Sequence, residues 1–355
     1  MDKYRIDSHK LMFHTSRVND WLNGKPIYPI YIEVSPSGSC NHRCTYCGLD
    51  FMKYRPKFLE TGVFKKRLVE MGKCGVKSIM YAGEGEPFLH KDMAEITKAT
   101  KKAGIDVAFT TNGALFNKGL AENILPYASW IKVSINAGKP ATYKKIHRSP
   151  SGDFERVFEN MSYAAELRDK KGYNCTLGMQ LVLLPQNSGE VELLAEKAKE
   201  IGMDYLVVKP YSQHPQSKTR IFKDIKYSKY YDMADSLSRY NDKNFHIVFR
   251  IHAMQKWDGA DKSYKHCLAL PFWSYIDSDG NVWACSIYLT DKKFMIGNIY
   301  KDSFGQIYKS DKYKKLINRA GKALDTSKCR VNCRMDEINR YLWELKNPSE
   351  HVNFI

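Results

Sequence analysis

Residues 40–47 read CNHRCTYC, three cysteines at C-x3-C-x2-C spacing with a tyrosine before the third. A tetrahedral zinc site or an iron–sulfur cube takes four protein ligands when closed, so this loop is one short. Two chemistries fit that count. In one, a distant side chain completes a structural zinc site. In the other, Cys40, Cys44 and Cys47 hold three irons of a [4Fe–4S] cube, and the fourth iron is open to a small molecule offering an amine and a carboxylate. A metal-free cysteine cluster is a third reading, and the polar loop residues Asn41, His42, Arg43 and Thr45 argue against it.

A second group of cysteines lies late in the chain. Cys267 and Cys285 flank Gly280 as C-x12-G-x4-C, and Cys329 and Cys333 form C-x3-C. Four thiolates complete a site and leave no iron open, which suits electron transfer or the shaping of a pocket rather than cosubstrate binding. Zinc on the same four thiolates is the alternative, because ligand type alone does not choose between the two. Cys74 and Cys175 stand apart and read as small buried hydrophobes.

These loops need elements to hold them. Residues 29–35, 76–83, 105–113, 130–138, 174–187 and 203–211 read as strands. Helical apolar spacing separates them, as in 61–75, 90–104 and 152–172, with glycine stops. Six strands alternating with helices predict parallel pairing with right-handed crossovers, an α/β fold of the partial (β/α)6 TIM-like kind. Chemistry in such folds gathers at the carboxyl ends of the strands. The last third changes character. Residues 272–288 read as a hairpin around Asp279-Gly280, with helices at 310–321 and 336–347, which predicts a small α+β module.

The 355 residues, nine cysteines and formal charge of +17 narrow the classes. Without an apolar leader or a membrane-length apolar run, the expectation is a cytoplasmic protein with no membrane partner, whose cysteines serve metal rather than disulfides. The basic residues are dispersed over several segments. Nucleic-acid binding therefore ranks below binding of a small, anionic molecule.

The placement of CNHRCTYC after the first strand of such an alternation resembles the radical SAM superfamily. The resemblance implies a reduced [4Fe–4S] cluster on Cys40, Cys44 and Cys47, with S-adenosylmethionine (SAM) at its open iron, and a 5′-deoxyadenosyl radical as the hydrogen-abstracting species. It implies that Tyr46 lies near the adenine. AGEGEP (82–87) is similar to the family's glycine-rich segment, which places Gly83, Gly85 and Glu86 against the SAM amine, with Glu84 where a glycine is usual. The ends of the third and fourth strands offer Thr111, Asn112, Ser134 and Asn136 to the SAM carboxylate and ribose. The C-x12-G-x4-C segment resembles the SPASM module or its shortened twitch form, as in 2-deoxy-scyllo-inosamine dehydrogenase-like enzymes, and implies an auxiliary [4Fe–4S] cluster on Cys267, Cys285, Cys329 and Cys333. The expected organisation is an extension at 1–28, the radical SAM partial barrel at 29–215, a bridge at 216–262, the auxiliary module at 263–346 and a tail at 347–355.

The resemblance also implies an electron donor such as flavodoxin or ferredoxin. The expected substrate is a sugar, aminocyclitol or nucleotide-linked sugar, undergoing dehydrogenation or epimerisation. Lys209, in an apolar setting, leads the candidates for substrate contact and proton transfer, followed by Tyr211, His214, Gln180 and Arg250. Modification of a peptide or RNA is the rival enzymatic reading, and a non-catalytic zinc protein the rival of another class.

Overall fold

The computed structural model describes residues 3–259 and 262–354. Residues 260 and 261, near the expected end of the bridge, lie outside the described residues, as do 1 and 2 of the extension and 355 of the tail.

All six expected strands form: β1 (Tyr31–Val34), β2 (Ser78–Tyr81), β3 (Asp106–Thr111), β4 (Ala128–Ser134), β5 (Thr176–Leu183) and β6 (Tyr205–Pro210). They are followed by β7 (His246–Phe249), β8 (Trp273–Ile276), β9 (Asn281–Trp283) and β10 (Met295–Asn298). All ten join one sheet in the order β10-β9-β8-β1-β2-β3-β4-β5-β6-β7. Helices cross between the parallel strands. The crossover helix Thr61–Lys73 starts where the Glu60 carboxylate accepts the free N–H groups of Gly62 and Val63 at 2.7 and 2.6 Å, an N-terminal cap.

Two findings extend the sequence reading. HIVF in the expected bridge is a further parallel strand, β7, in register with β6 from Tyr205↔His246 onward. Its four residues are too few for periodicity to reveal. The hairpin at 272–288 exists, with β8 and β9 antiparallel, but it does not stand apart. β8 pairs in parallel with β1, Tyr31 opposite Trp273 and Val34 opposite Ile276. Every residue of β8 is buried, so both of its edges need hydrogen-bonding partners, and β1 supplies one of them.

The main core fills the space between sheet and helices. Two smaller apolar clusters lie on the other face, the inner one. Met80, Ala82 and Ala108 pack with Tyr31 and Trp130, and Tyr205, Val207 and Val248 pack with Tyr4 and Ile6 of the amino-terminal segment. Strand alternation puts Lys132 on the face of Trp130, Lys209 on that of Val207, and Arg250, just past β7, in line with Val248.

Candidate active site

The cysteine loop leaves β1 and is tied down on two sides by backbone. The N–H groups of Arg43 and Thr45 donate to the carbonyls of His147 and Ile146 at 3.1 and 2.9 Å, and Glu86 N–H donates to Ser39 at 2.7 Å. The loop rests on the segment after β2. A methyl group on Gly85 would overlap the Ser37 and Ser39 carbonyls. Gly83 has φ +105°, and a methyl group there would overlap Ser35 and the Tyr275 hydroxyl. Both glycines thus allow a close approach of protein to protein beneath the cysteine loop.

Cys40, Cys44 and Cys47 are free and half-buried. Burial pushes Cys40 up to about 12, with Glu86 and Cys47 adding to the shift. Burial also raises Cys44, reinforced by Cys47 and then Cys40. Three thiols this near one another ionise together only around a cation, which is the donor chemistry of a metal cluster. The second group converges as well. Cys267, Cys285, Cys329 and Cys333 line one small cavity together with Tyr264, Trp273, Tyr288 and Asn339. Asn339 Nδ2 donates to Cys267 Sγ at 3.6 Å while its Oδ1 accepts the N–H groups of Leu268 and Ala269 at 2.7 and 3.0 Å. Met335 N–H donates to Cys333 Sγ at 3.4 Å. Both donor sets fit iron–sulfur clusters.

Most residues expected to cradle SAM are engaged by protein partners. Burial pushes the Glu86 carboxyl up to about 7. It accepts Thr111 Oγ1 at 2.5 Å, and Asn112 N–H at 2.8 Å. Asn112 Nδ2 donates in turn to Asn41 of the cysteine loop at 2.7 Å. Asn136 is fully buried. Its Nδ2 donates to the Tyr46 hydroxyl at 2.5 Å, and its Oδ1 accepts Val182 N–H at 2.5 Å. Thr111, Asn112 and Asn136 therefore hold the loop and orient Tyr46. Ser134 ends β4, half-buried, in register with Gln180 of β5.

The expected substrate contacts divide. Lys209 sits on the inner face and is half-buried. Burial lowers it well below the ordinary lysine range, and Lys132, Arg250, Arg330 and Arg334 push it further down. Gln180 is buried on the same face. Arg250 is committed to an ion pair with Asp7 at 2.8 Å. Tyr211 and His214 are engaged by protein partners. Tyr211 is buried against Phe222 and Trp257, with its hydroxyl donating to Gln213 at 3.1 Å. His214 Nδ1 accepts Gln216 N–H at 3.1 Å, and its Nε2 lies 3.2 Å from the Ser286 carbonyl, to which it donates. Burial lowers it to about 4. With both ring nitrogens used, it joins the loop after β6 to the auxiliary region.

Three basic residues on the inner face were missed. Burial pushes Lys132 down to about 7, with Arg334 and Arg250 adding to the shift. Arg330 and Arg334 each directly follow an auxiliary cysteine. Arg330 donates to the hydroxyl and carbonyl of Ser212 at 2.9 and 2.8 Å, and Arg334 pairs with Glu33 at 2.9 Å. Among the described residues, the Lys132 and Lys209 ammonium groups have no hydrogen-bonding or ion-pair partner. The alternation of Trp130, Lys132 and Ser134 along β4 is a readable signal for the first. The sequence carried no sign that the auxiliary loop returns its arginines to the sheet. His147 was also missed; its Nδ1 lies 3.6 Å from Cys44 Sγ.

Residues 34–198 match the profile of the radical SAM superfamily, and residues 267–334 that of an iron–sulfur cluster-binding domain, SPASM. The chain is 27% identical over 202 residues to the probable GTP 3′,8-cyclase of Thermococcus kodakarensis, covering 56% of this chain and 62% of that protein. It is 30% identical over 147 residues to the GTP 3′,8-cyclase of Limosilactobacillus fermentum, covering 40% and 43%. The matches thus span about half the length of these curated relatives. Among solved structures, Streptococcus suis SuiB bound to S-adenosylmethionine aligns with a TM-score of 0.68 at 20% identity, covering 96% of this chain and 79% of that one. Native anSMEcpe with bound AdoMet aligns with a TM-score of 0.57 at 17% identity, covering 90% and 95%. These two likenesses show the fold, a partial TIM-like sheet followed by an auxiliary domain. No helix among the described residues is long and apolar enough to cross a membrane. The chain thus carries a radical SAM domain at residues 34–198 and a SPASM iron–sulfur cluster-binding domain at residues 267–334, whose cofactors are a [4Fe–4S] cluster with SAM and an auxiliary iron–sulfur cluster.

Proposed function

We propose that this enzyme binds a small anionic molecule, phosphorylated or nucleotide-like, on the inner face of its sheet and removes a hydrogen atom from it. One observation carries the reading. Among the described residues, the Lys132 and Lys209 ammonium groups face the inner side with no hydrogen-bond or ion-pair partner, Lys132 over the Trp130 ring at 5.6 Å; burial depresses both, Arg250 and Arg334 lower both further, and Arg330 adds at Lys209. Buried cations gathered on one face with no carboxylate paired to Lys132 or Lys209 are complementary to an anion. The name of the relatives, GTP 3′,8-cyclase, supports a nucleotide ligand. The sugar or aminocyclitol expectation finds no support among them.

Cys40, Cys44 and Cys47 would hold the SAM cluster, and Cys267, Cys285, Cys329 and Cys333 the auxiliary one. When bound and reduced by a flavodoxin- or ferredoxin-like donor, the first cluster and SAM supply the radical that abstracts hydrogen. The chain's own part is positional. Glu86, Asn112 and Asn136 fix the cysteine loop and Tyr46. Lys132 and Lys209 neutralise the anion, and Arg330 and Arg334 approach it from the auxiliary side.

Anaerobic calorimetry of the reconstituted enzyme tests this with GTP, inorganic triphosphate, a sugar phosphate and a neutral sugar. Phosphorylated ligands should bind and Lys132→Met should weaken them. Equal binding and turnover of the neutral sugar would refute the reading. Selective binding of an acidic peptide would move it to peptide modification, the second reading, which SuiB bound to precursor peptide SuiA brings forward. In deuterated buffer, solvent deuterium in the product marks epimerisation, whereas a carbonyl marks dehydrogenation.

A further inference from the structure

His147 ends the helix Pro140–His147, fully buried, with Tyr143 stacked on its ring at 4.1 Å. Its Nδ1 lies 3.6 Å from Cys44 Sγ. Which of the two carries the hydrogen follows from the opposite side of the ring. The backbone N–H of Asn136 points at Nε2 from 3.1 Å, and a backbone N–H can only donate. The Asn136 side-chain amide also approaches Nε2, at 3.1 Å. Its orientation is settled because its oxygen accepts Val182 N–H, so the group facing the ring is NH2, another donor. Nε2 must therefore present its lone pair, and the single ring hydrogen of a neutral imidazole sits on Nδ1.

The same logic removes a competing site. His42, Cys44 and His147 bring ligand atoms within 4.8 Å of one another, close enough to suggest a separate metal ion. A metal at His147 Nδ1 would need its lone pair there and a hydrogen on Nε2, facing two donors. His42 is engaged elsewhere, with its Nε2 2.8 Å from the Asp153 carboxylate.

We propose that His147 is a positioning residue that donates an Nδ1–H···S hydrogen bond to the Cys44 thiolate and so raises the reduction potential of the SAM-binding cluster. A thiolate that ligates iron has no hydrogen of its own and can only accept. Hydrogen bonds to cluster sulfur offset the negative charge added on reduction and shift the potential upward. No proton is transferred: the hydrogen stays on Nδ1, and the one electron comes from the reductant. The inference rests on the cluster assigned to Cys40, Cys44 and Cys47 and is independent of the substrate proposed above.

The test compares wild type with His147→Asn, whose amide reaches the position of Nδ1, and His147→Leu, which has no donor. Potentials are read by anaerobic titration of the reduced-cluster EPR signal that changes when SAM is added, which singles out the cluster with the open iron. At a fixed ambient potential, His147→Leu should lower the reduced-to-oxidised ratio by about tenfold, equivalent to about 59 mV for one electron, and His147→Asn should recover most of it. An unchanged potential in His147→Leu overturns the proposal, as does failure of a folded, iron-replete His147→Asn to recover it. A second measurement needs no variant of this residue to fold. In wild type carrying 15N-labelled histidine, pulsed EPR of the same signal should show a weak 15N coupling and an exchangeable proton coupling. Their absence overturns the proposal too.

Discussion

The two thiol sites are assembled in opposite ways. Cys40, Cys44 and Cys47 share one eight-residue loop, held by backbone bonds to residues 86, 146 and 147. Cys267, Cys285, Cys329 and Cys333 come together across more than sixty residues of sequence and meet in one cavity. The first set can gather ligands wherever its loop forms. The second exists only once β8, β9 and the helix Asp336–Lys346 have packed. The ligand counts match that difference: the local site leaves a position for a cosubstrate, and the distributed one closes on its metal. A closed site couples metal binding to folding more strongly than an open loop does.

That contrast is best broken first at its strongest point. Replacing Cys40, Cys44 and Cys47 together with Ala should abolish SAM cleavage and remove the iron and sulfide of the first site, while the visible spectrum of the second remains. Loss of both clusters would show that the sites are not independent. Next in size, Cys285→Ser should spare SAM cleavage but abolish turnover of a bound substrate. It should also lower the melting temperature more than any single change in the first loop, as read by anaerobic thermal unfolding. Equal melting of the two variants would remove the folding distinction.

Gly85→Ala tests how the local loop is held. Its methyl group would press on the Ser37 and Ser39 carbonyls. It should cost about 1–3 kcal/mol of stability, the usual range for overpacking, and lower iron retention at the first site only. Lys209→Met sharpens the inner face between the two sites. It should weaken anion binding by about ten- to a hundredfold, roughly 1.4–2.8 kcal/mol, without lowering thermal stability, since it removes an unpaired charge among like charges. A parallel loss of stability would make Lys209 a structural residue.

The smallest effect is the pH dependence of anion affinity. Lys132 is pushed down to about 7, so its ammonium is present below that pH and lost above it. The anion binds the charged form. Affinity measured by calorimetry should therefore fall as pH rises through about 7 toward the ordinary lysine range, by at most about tenfold per pH unit. Lys132→Gln should flatten this part of the profile; an unaltered slope would assign the titration elsewhere.

Much of the barrel was legible because parallel strands and crossover helices repeat with clear periods, and because the cysteine loop is a local motif following an apolar strand. β7 was not, since four residues carry no usable period. Nor was the docking of β8 on β1, because strand pairing depends on an edge that the sequence does not label. Among site residues, Tyr211 and His214 fell where polar groups cluster after β6, but their side chains are spent on packing and on protein hydrogen bonds. Lys209 was found through its apolar neighbours, whereas Arg330 and Arg334 were hidden among a large excess of basic residues.

Ligand identity, ligand count and the alternation of strands and helices are local properties, and spacing along the chain suffices to read them. Which cations share a face, which nitrogen of His147 carries a hydrogen, and which hydroxyls and amides are already taken depend on groups far apart in sequence. Those were decided when β4, β6 and the loop from Cys329 to Cys333 came together, because Coulomb and hydrogen-bond energies depend on distance in space rather than along the chain.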